Sequence, residues 1–223
     1  MKEKIELLEK EVNNIIDKGL LKGPDSTNPL GLKKWFTSEI KKITDCMDKV
    51  ETNLEIVSSC KKGCCSCCKQ AIEVINPEWK AISAVIKRFS EQEKQMLMEK
   101  NNECIKLIED NGIKDEMKAN FSSPARNSNI DNFMKSYFAI NIECPLLSAH
   151  GECLIYDVRP ACCWGYRMYG SSEECTEVYN PDNAINFESF DTKLLNLAKK
   201  KISLTGGMRL LPYIIRDILN NKI

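Results

Sequence analysis

The sequence predicts a mainly α-helical protein, a single helical domain around an irregular, cysteine-rich metal-binding core. Apolar residues recur at helical spacing in several segments, and strands do not alternate with helices along the chain. Most of the 12 cysteines fall in two short segments, 60–68 and 144–163. A chain of 223 residues, 43% of them hydrophobic, is long enough to bury one such core.

The N-terminal region, residues 1–58, is predicted to form amphipathic helices. A first helix is expected over 2–18, and the turn-forming residues of 23–31 predict a loop after it. In the second helix, steps of four and three residues predict an apolar seam that packs on another helix. The seam consists of Phe36, Ile40, Ile43, Met47, Val50, Leu54 and Val57.

The middle region, residues 59–180, is predicted to hold the metal-binding core with helices inserted in it. Residues 71–76 suggest a short extended piece, after which Asn76 is expected to cap a helix that has Pro77 at its first position. Ser90 and Glu93 have the spacing of a capping box and predict a further helix that ends near residues 111–112.

The remaining segments are predicted from composition and spacing. Proline, serine and asparagine over 113–131 predict a long loop, and 132–140 is expected to be helical. The segment 144–179 is expected to be irregular. The C-terminal region, 181–223, should pack on the core with two helices, 189–202 and 208–220, broken at Gly206-Gly207.

Charge and composition exclude several classes of function. The chain has 32 basic and 32 acidic residues, which argues against a nucleic-acid partner. It lacks the roughly 20 continuous apolar residues of a membrane span and has no apolar signal segment, so we expect a cytoplasmic protein. Disulfides are rare there, so 12 cysteines predict metal or redox chemistry. With His150 as its one histidine, the chain cannot form a zinc site built on several imidazoles.

The first cysteine segment, CKKGCCSCCK, cannot form a metal site as one straight helix. Cys60 and Cys68 would then lie about 12 Å apart along the helix axis. Zinc binds its thiolates at about 2.3 Å, which puts the sulfurs only about 4 Å from one another. Either the segment bends at Gly63, or further ligands come from elsewhere in the chain.

The second cysteine segment can supply those ligands. Cys144 and Cys153 flank a Ser-Ala-His-Gly turn, so a tight reversal would bring them close. Cys162 and Cys163 follow a proline, and adjacent cysteines point in different directions, so one of each pair is expected to bind a given centre. The clustered thiols outnumber the ligands of one zinc ion, and they suit an iron–sulfur cluster with supporting cysteines or two metal sites.

Basic and aromatic residues accompany the cysteines. A tetrathiolate centre is anionic, and Lys61, Lys62, Arg159 and Arg167 lie close enough in sequence to offset that charge. Trp164, Tyr166 and Tyr169 are expected to shield the centre from water or to stack on a substrate. We therefore assign Arg159, Trp164 and Arg167 as residues that contact a bound cofactor.

The two segments together resemble the bacterial family of zinc- or iron-chelating cysteine-cluster proteins, which includes the flagellin lysine N-methylases. The family pattern begins with C-x-x-x-C-x-x-C-C, matched by Cys60, Cys64, Cys67 and Cys68. It continues with C-P-x-L, matched by residues 144–147, and with G-x-C-x-I-Y-x-x-R-P-x-x-C, matched by 151–163. Cys163 occupies the last position, and Cys65 and Cys162 are additions to the pattern.

The resemblance implies a metal centre and favours a [4Fe-4S] cluster over zinc. Its ligands are expected among Cys60, Cys64, Cys67, Cys68, Cys144, Cys153 and Cys163, either four of them or three with one open iron. It further implies an S-adenosylmethionine-dependent enzyme that modifies a protein or peptide side chain. The alternative is a non-catalytic zinc module in which the metal supplies folding energy and the surface binds a partner.

The other cysteines and the histidine have simpler interpretations. Cys46 and Cys104 lie beside apolar stripes and are expected to be buried core residues. Cys175 lies in the segment SSEECTEVY, predicted to be a polar loop, and is expected to be a thiol with no metal role, with an extra metal ligand as the alternative. His150 is expected to face solvent at its turn.

Overall fold

A computed structural model describes residues 1–113, 130–187, 189–200 and 208–223, and over these residues the protein is mainly helical, as predicted. The helices of the described residues are α1 (Lys2–Ile15), α2 (Pro29–Asn53), α3 (Asn76–Ile86), α4 (Glu91–Asp110), α5 (Ile130–Ala139), α6 (Ala161–Trp164), α7 (Glu174–Glu177), α8 (Ser189–Lys199) and α9 (Leu211–Leu219). A π-helical turn, Ile16–Leu20, follows α1, and a 3-10 turn, Tyr156–Val158, precedes α6. The short strands are β1 (Glu73–Val74), β2 (Tyr166–Met168), β3 (Ala184–Asn186) and β4 (Arg209–Leu210).

The second helix forms as predicted but ends earlier. The Asn28 side chain caps its start by accepting a hydrogen bond from the Gly31 backbone N–H at 2.8 Å. In the predicted seam Phe36, Ile43, Met47 and Val50 are buried, and Ile40 is half-buried. The helix then stops at Asn53, because Glu55 adopts a left-handed conformation with φ of 52°. Val57 therefore lies beyond the helix and is 83% exposed, so its inclusion in the seam was wrong.

The two helices after β1 begin with glutamate caps. The Ser90–Glu93 capping box is present: the Ser90 backbone N–H donates to the Glu93 carboxylate at 2.7 Å, and the Glu93 N–H donates to Ser90 Oγ at 3.2 Å. In α3 the expected cap was wrong by one residue, because Asn76 is already helical and Ile75 is the capping position. Glu78 takes the capping role there, since its carboxylate accepts the Ile75 N–H at 2.8 Å.

Two apolar cores lie between the helices. The larger core is built on the packing of α2 against α3, to which α1, α8 and α9 add their apolar faces. The smaller core lies between α4 and α5 and includes Cys104, Phe133 and Tyr137. Cys46 is buried in the larger core, so both cysteines assigned to core packing are buried.

Two small antiparallel sheets fix the chain next to the cysteine segments. β1 pairs with β4, with Glu73 opposite Leu210, directly after the first segment. β2 pairs with β3, with Tyr166 opposite Asn186, directly after the second. Each cysteine segment is thereby continued by a strand whose partner comes from a later part of the chain.

Several predictions are changed or stay untested. α5 begins at Ile130, and α9 begins at Leu211 rather than 208 because residues 209–210 extend to form β4. Most of the predicted 113–131 loop and the break at Gly206-Gly207 lie outside the described residues. The divisions at 58/59 and 180/181 stay predictions. Among the described helices, none combines the length and apolarity needed to cross a membrane.

Candidate metal centre

The two cysteine segments lie side by side. The Cys144 backbone N–H donates to the Cys68 carbonyl oxygen at 2.7 Å. A methyl group built on Gly151 would lie 3.6 Å from Cys65 Sγ, so the turn of the second segment also touches the first. Segments far apart in sequence are thus in direct contact in the fold.

A cavity of about 190 Å³ lies between the two segments, and cysteines form much of its wall. Six of the cysteines that line it belong to the predicted ligand set, and a seventh, Cys162, was not predicted as a ligand. Cys60, the remaining predicted ligand, lines an adjoining cavity together with Cys64, Cys67 and Cys163. The cysteines of the larger cavity are Cys64, Cys67, Cys68, Cys144, Cys153, Cys162 and Cys163.

The first segment bends at Gly63, which is one of the two alternatives to a straight helix that the cysteine spacing predicted. Gly63 has φ of 89°, a left-handed conformation that glycine adopts without strain. Turns close on either side of it, since the Cys64 N–H donates to the Lys61 carbonyl and the Cys68 N–H to the Cys65 carbonyl, both at 2.9 Å. Consecutive cysteines therefore follow a folded path rather than a straight helix.

The predicted reversal between Cys144 and Cys153 is present. Leu147 and Cys153 form an antiparallel bridge, and Ser148 Oγ accepts hydrogen bonds from the backbone of the turn that contains Gly151. His150 is exposed in this turn, as expected. Lys100 of α4 holds the turn from outside by donating its ammonium to the Leu147 carbonyl at 2.7 Å.

Glu78 anchors the short helix that carries Cys162 and Cys163. The second oxygen of its buried carboxylate accepts the Ala161 backbone N–H at 2.8 Å, so Glu78 joins the starts of α3 and α6. Cys162 Sγ donates to the Glu73 carbonyl of β1 at 3.5 Å. α6 is thus tied both to α3 and to the strand that follows the first cysteine segment.

Burial favours the protonated form of several of the thiols that line this cavity. Burial raises the pKa of Cys144 well above its usual range and that of Cys153 to about 11. The pKa values of Cys67 and Cys163 are raised first by hydrogen bonds with the adjacent Cys68 and Cys162 thiols and then by burial. A metal ion must therefore displace these protons to bind thiolate sulfur.

Arg159 supplies positive charge among the thiols. Its guanidinium lies 4.4 Å from the centre of the Tyr156 ring, and its charge lowers the pKa values of Cys67, Cys153 and Cys163 against the effect of burial. No carboxylate in the described part of the chain pairs with it. The predicted contribution of Arg159 to charge balance at the centre is consistent with this position.

Arg167 and Trp164, the other two predicted cofactor residues, contact other side chains of the protein. The Arg167 guanidinium donates to Glu51 at 2.7 Å and to Asp48 at 3.1 Å, and so ties β2 to α2 at the edge of the site. Trp164 is buried and stacks on Phe190 with 5.2 Å between ring centres. A cofactor role for Arg167 stays a prediction, and carboxylates already occupy its guanidinium.

Cys175 is closer to the site than its polar sequence suggested. It is 3% exposed on α7, where it packs with Tyr166 and Met168 of β2, and Cys60 and Cys67 pack against the same group. The expectation of a thiol in a polar loop was therefore wrong. Burial raises the pKa of Cys60, and the Met168 N–H, which donates to Cys60 Sγ at 3.3 Å, offsets part of that rise.

The donor set fits a soft metal or an iron–sulfur cluster. Thiolate is the ligand that such centres prefer, and thiols from both segments converge on one cavity beside a cation. As the side chains stand, no three histidine, cysteine, aspartate or glutamate residues over the described ranges are grouped so that they could hold a metal ion. Adjacent thiols instead hydrogen-bond to each other, so binding requires them to rotate about their side-chain torsions.

Comparisons with protein-family models, curated proteins and solved structures gave no match. The resemblance to the cysteine-cluster family accordingly rests on the motif residues alone.

Proposed function

We propose that this protein is a cysteine-rich metalloprotein that binds an iron–sulfur cluster of the [4Fe-4S] type. The observation that carries the proposal is the cavity of about 190 Å³ lined by cysteines from both segments. A lone zinc ion takes four thiolates at about 2.3 Å and draws them tightly together. Seven cysteines around about 190 Å³ suit a larger inorganic centre better.

The proposed activity is an S-adenosylmethionine-dependent modification of a protein or peptide side chain. An iron–sulfur cluster supplies electron transfer or, where one iron lacks a protein ligand, a position for a small molecule. In this chain Arg159 would balance the thiolate charge, and Trp164 would close one side of the site against water. The activity rests on the motif resemblance, and the metal centre rests on the cavity.

The experiment is metal analysis of protein purified without air. The expected product is brown, contains iron and sulfide in about equal amounts, and absorbs broadly in the visible region. Colourless protein with stoichiometric zinc would refute the cluster and leave the zinc-binding interaction module as the function.

Two cysteine variants connect the result to the cavity. Cys163→Ser should sharply lower the metal content, because Cys163 lies among Cys67, Cys144 and Cys153. Cys46→Ser is the matched control, since Cys46 is buried in the apolar core on α2, and its metal content should equal that of the wild type. Equal losses in both variants would contradict the assignment.

Binding of S-adenosylmethionine is measured on the same preparation by equilibrium dialysis. Stoichiometric binding that disappears when the metal is removed is the expected result. A fully metal-loaded protein that does not bind it would exclude this cofactor without excluding the metal centre.

A further inference from the structure

A second cavity, of about 170 Å³, adjoins the thiol-lined one. Cys64, Cys67 and Cys163 line both cavities and so form part of the wall between them. Arg159 also borders both, whereas Trp164 faces the second cavity alone. A molecule in the second cavity would therefore lie directly beside three of the proposed metal ligands.

Three residues that line this cavity, Trp164, Arg159 and Tyr166, carry a buried hydrogen-bonding group with no partner in the described residues. Trp164 is 2% exposed, and its indole Nε1–H has no partner. The Nε–H of Arg159 is likewise buried without a partner. Buried hydrogen-bonding groups are nearly always satisfied, so three of them on residues that line the same cavity indicate that a partner is supplied from outside the chain.

The charge around the cavity favours an anion. Lys61, Arg159 and Arg167 line it together with Asp48. Glu51 and Asp48 already neutralise Arg167. Arg159 and Lys61 have no carboxylate partner over the ranges that the structure describes, which leaves a positive excess facing the cavity.

We propose that the second cavity binds the carboxylate group of a small compound, with Trp164 Nε1–H donating to one oxygen and Arg159 to the other. Trp164 and Arg159 each donate to one carboxylate oxygen and the Tyr166 hydroxyl can add a third hydrogen bond, whereas the four oxygens of a phosphate would still outnumber these donors. The rest of the compound would extend toward the sulfurs of Cys64, Cys67 and Cys163. This inference deepens the proposed function and rests on it for the identity of the neighbouring centre.

The test is calorimetry with three probes on protein whose metal content has been measured. Sodium acetate and glycine are expected to bind with similar affinity, because they share the carboxylate, and sodium phosphate is expected to bind more weakly. Sodium chloride at the same ionic strength controls for general salt effects. Tighter binding of phosphate would overturn the choice of carboxylate, and failure of acetate and glycine to bind metal-loaded protein would overturn the site.

Conservative variants identify the donors. Trp164→Phe keeps a ring to stack on Phe190 and removes only the indole N–H, and Arg159→Lys keeps the charge and removes the guanidinium N–H groups. Each should weaken acetate binding about tenfold or more, as expected for loss of a hydrogen bond to a charged group. Unchanged affinity in both would overturn the proposal.

A neighbouring lysine provides the matched control. Lys61 lines the cavity and Lys62 does not. Lys61→Gln should weaken acetate binding several-fold, and Lys62→Gln should stay within about twofold of the wild type. Equal losses would mean that the anion responds to general surface charge rather than to the cavity. Metal content measured on each sample separates this outcome from failure of the metal centre itself.

Discussion

Replacement of Glu78 by glutamine should weaken both the fold and the metal site. The Glu78 side chain is 2% exposed, and its two oxygens accept backbone N–H groups from Ile75 and Ala161, each at 2.8 Å. Glutamine keeps one acceptor oxygen but turns an amide N–H₂ toward the other donor. The variant therefore loses one charge-assisted hydrogen bond and leaves one buried N–H unsatisfied.

The expected loss follows from that geometry. A hydrogen bond to a charged group contributes about 1.5–3 kcal/mol, and an unsatisfied buried donor costs about 1–3 kcal/mol. These two contributions overlap, because both describe in part the same broken contact. The free energy of unfolding should therefore fall by about 2–4 kcal/mol. That is a large fraction of the stability of a typical domain, about 5–15 kcal/mol.

The assay is urea unfolding of metal-free protein under reducing conditions, followed by metal loading. Glu93→Gln is the matched control, because Glu93 holds the equivalent capping position in α4 but is exposed, and its carboxylate accepts hydrogen bonds from Ser90. Glu93→Gln should barely change the unfolding midpoint. Glu78→Gln should also take up less metal, since α6 with Cys163 loses its anchor.

Two outcomes would refute this reasoning. If Glu78→Gln unfolds within about 0.5 kcal/mol of the wild type, as surface substitutions do, the buried carboxylate does not connect α3 to α6 in the way described. If it is destabilised but loads metal fully, the position of α6 does not control the site.

Three further predictions concern other parts of the molecule. Glu51→Gln should lower the free energy of unfolding, measured with urea, by about 3 kcal/mol, because the buried Arg167 charge then keeps only the exposed Asp48 as a partner. Asp48→Asn should lower it by less than about 1 kcal/mol. Burial raises the pKa of Cys104 to about 11, so the folded state keeps the thiol neutral. Above about pH 8.5 the Cys104 thiol ionises in the unfolded chain but stays protonated in the folded protein. The free energy of unfolding of the wild type should therefore fall by up to about 3 kcal/mol relative to that of Cys104→Ala by pH 11. Parallel curves of stability against pH for the two proteins would contradict this. Removal of the metal with a chelator should lower the melting temperature, and an unchanged value would mean that the metal does not connect the two segments.

Local signals in the sequence predicted local structure well. The Ser90–Glu93 box needs only residues within one helical turn, and the structure has it. The bend at Gly63 and the reversal before Cys153 likewise depend on glycine and turn-forming residues at the positions concerned.

Features that depend on distant contacts were not predictable in the same way. β4 exists because residues 209–210 pair with β1; the extended piece at 71–76 was predicted from its own sequence, whereas residues 209–210 were expected to be helical. Cys175 is buried because α7 packs on β2, although its own neighbours in sequence are polar. The second cavity also escaped prediction, since residues from α2, the first cysteine segment and α6 form it jointly.

The pairing of β1 with β4 has a consequence for biosynthesis. The first cysteines leave the ribosome long before residues 209–210 are translated, yet the strand beside those cysteines is complete only when β4 arrives. Leu211, which follows β4, also contributes to the lining of the thiol cavity. The wall of the thiol cavity is therefore complete only after residues 209–211 have been translated and have paired with β1.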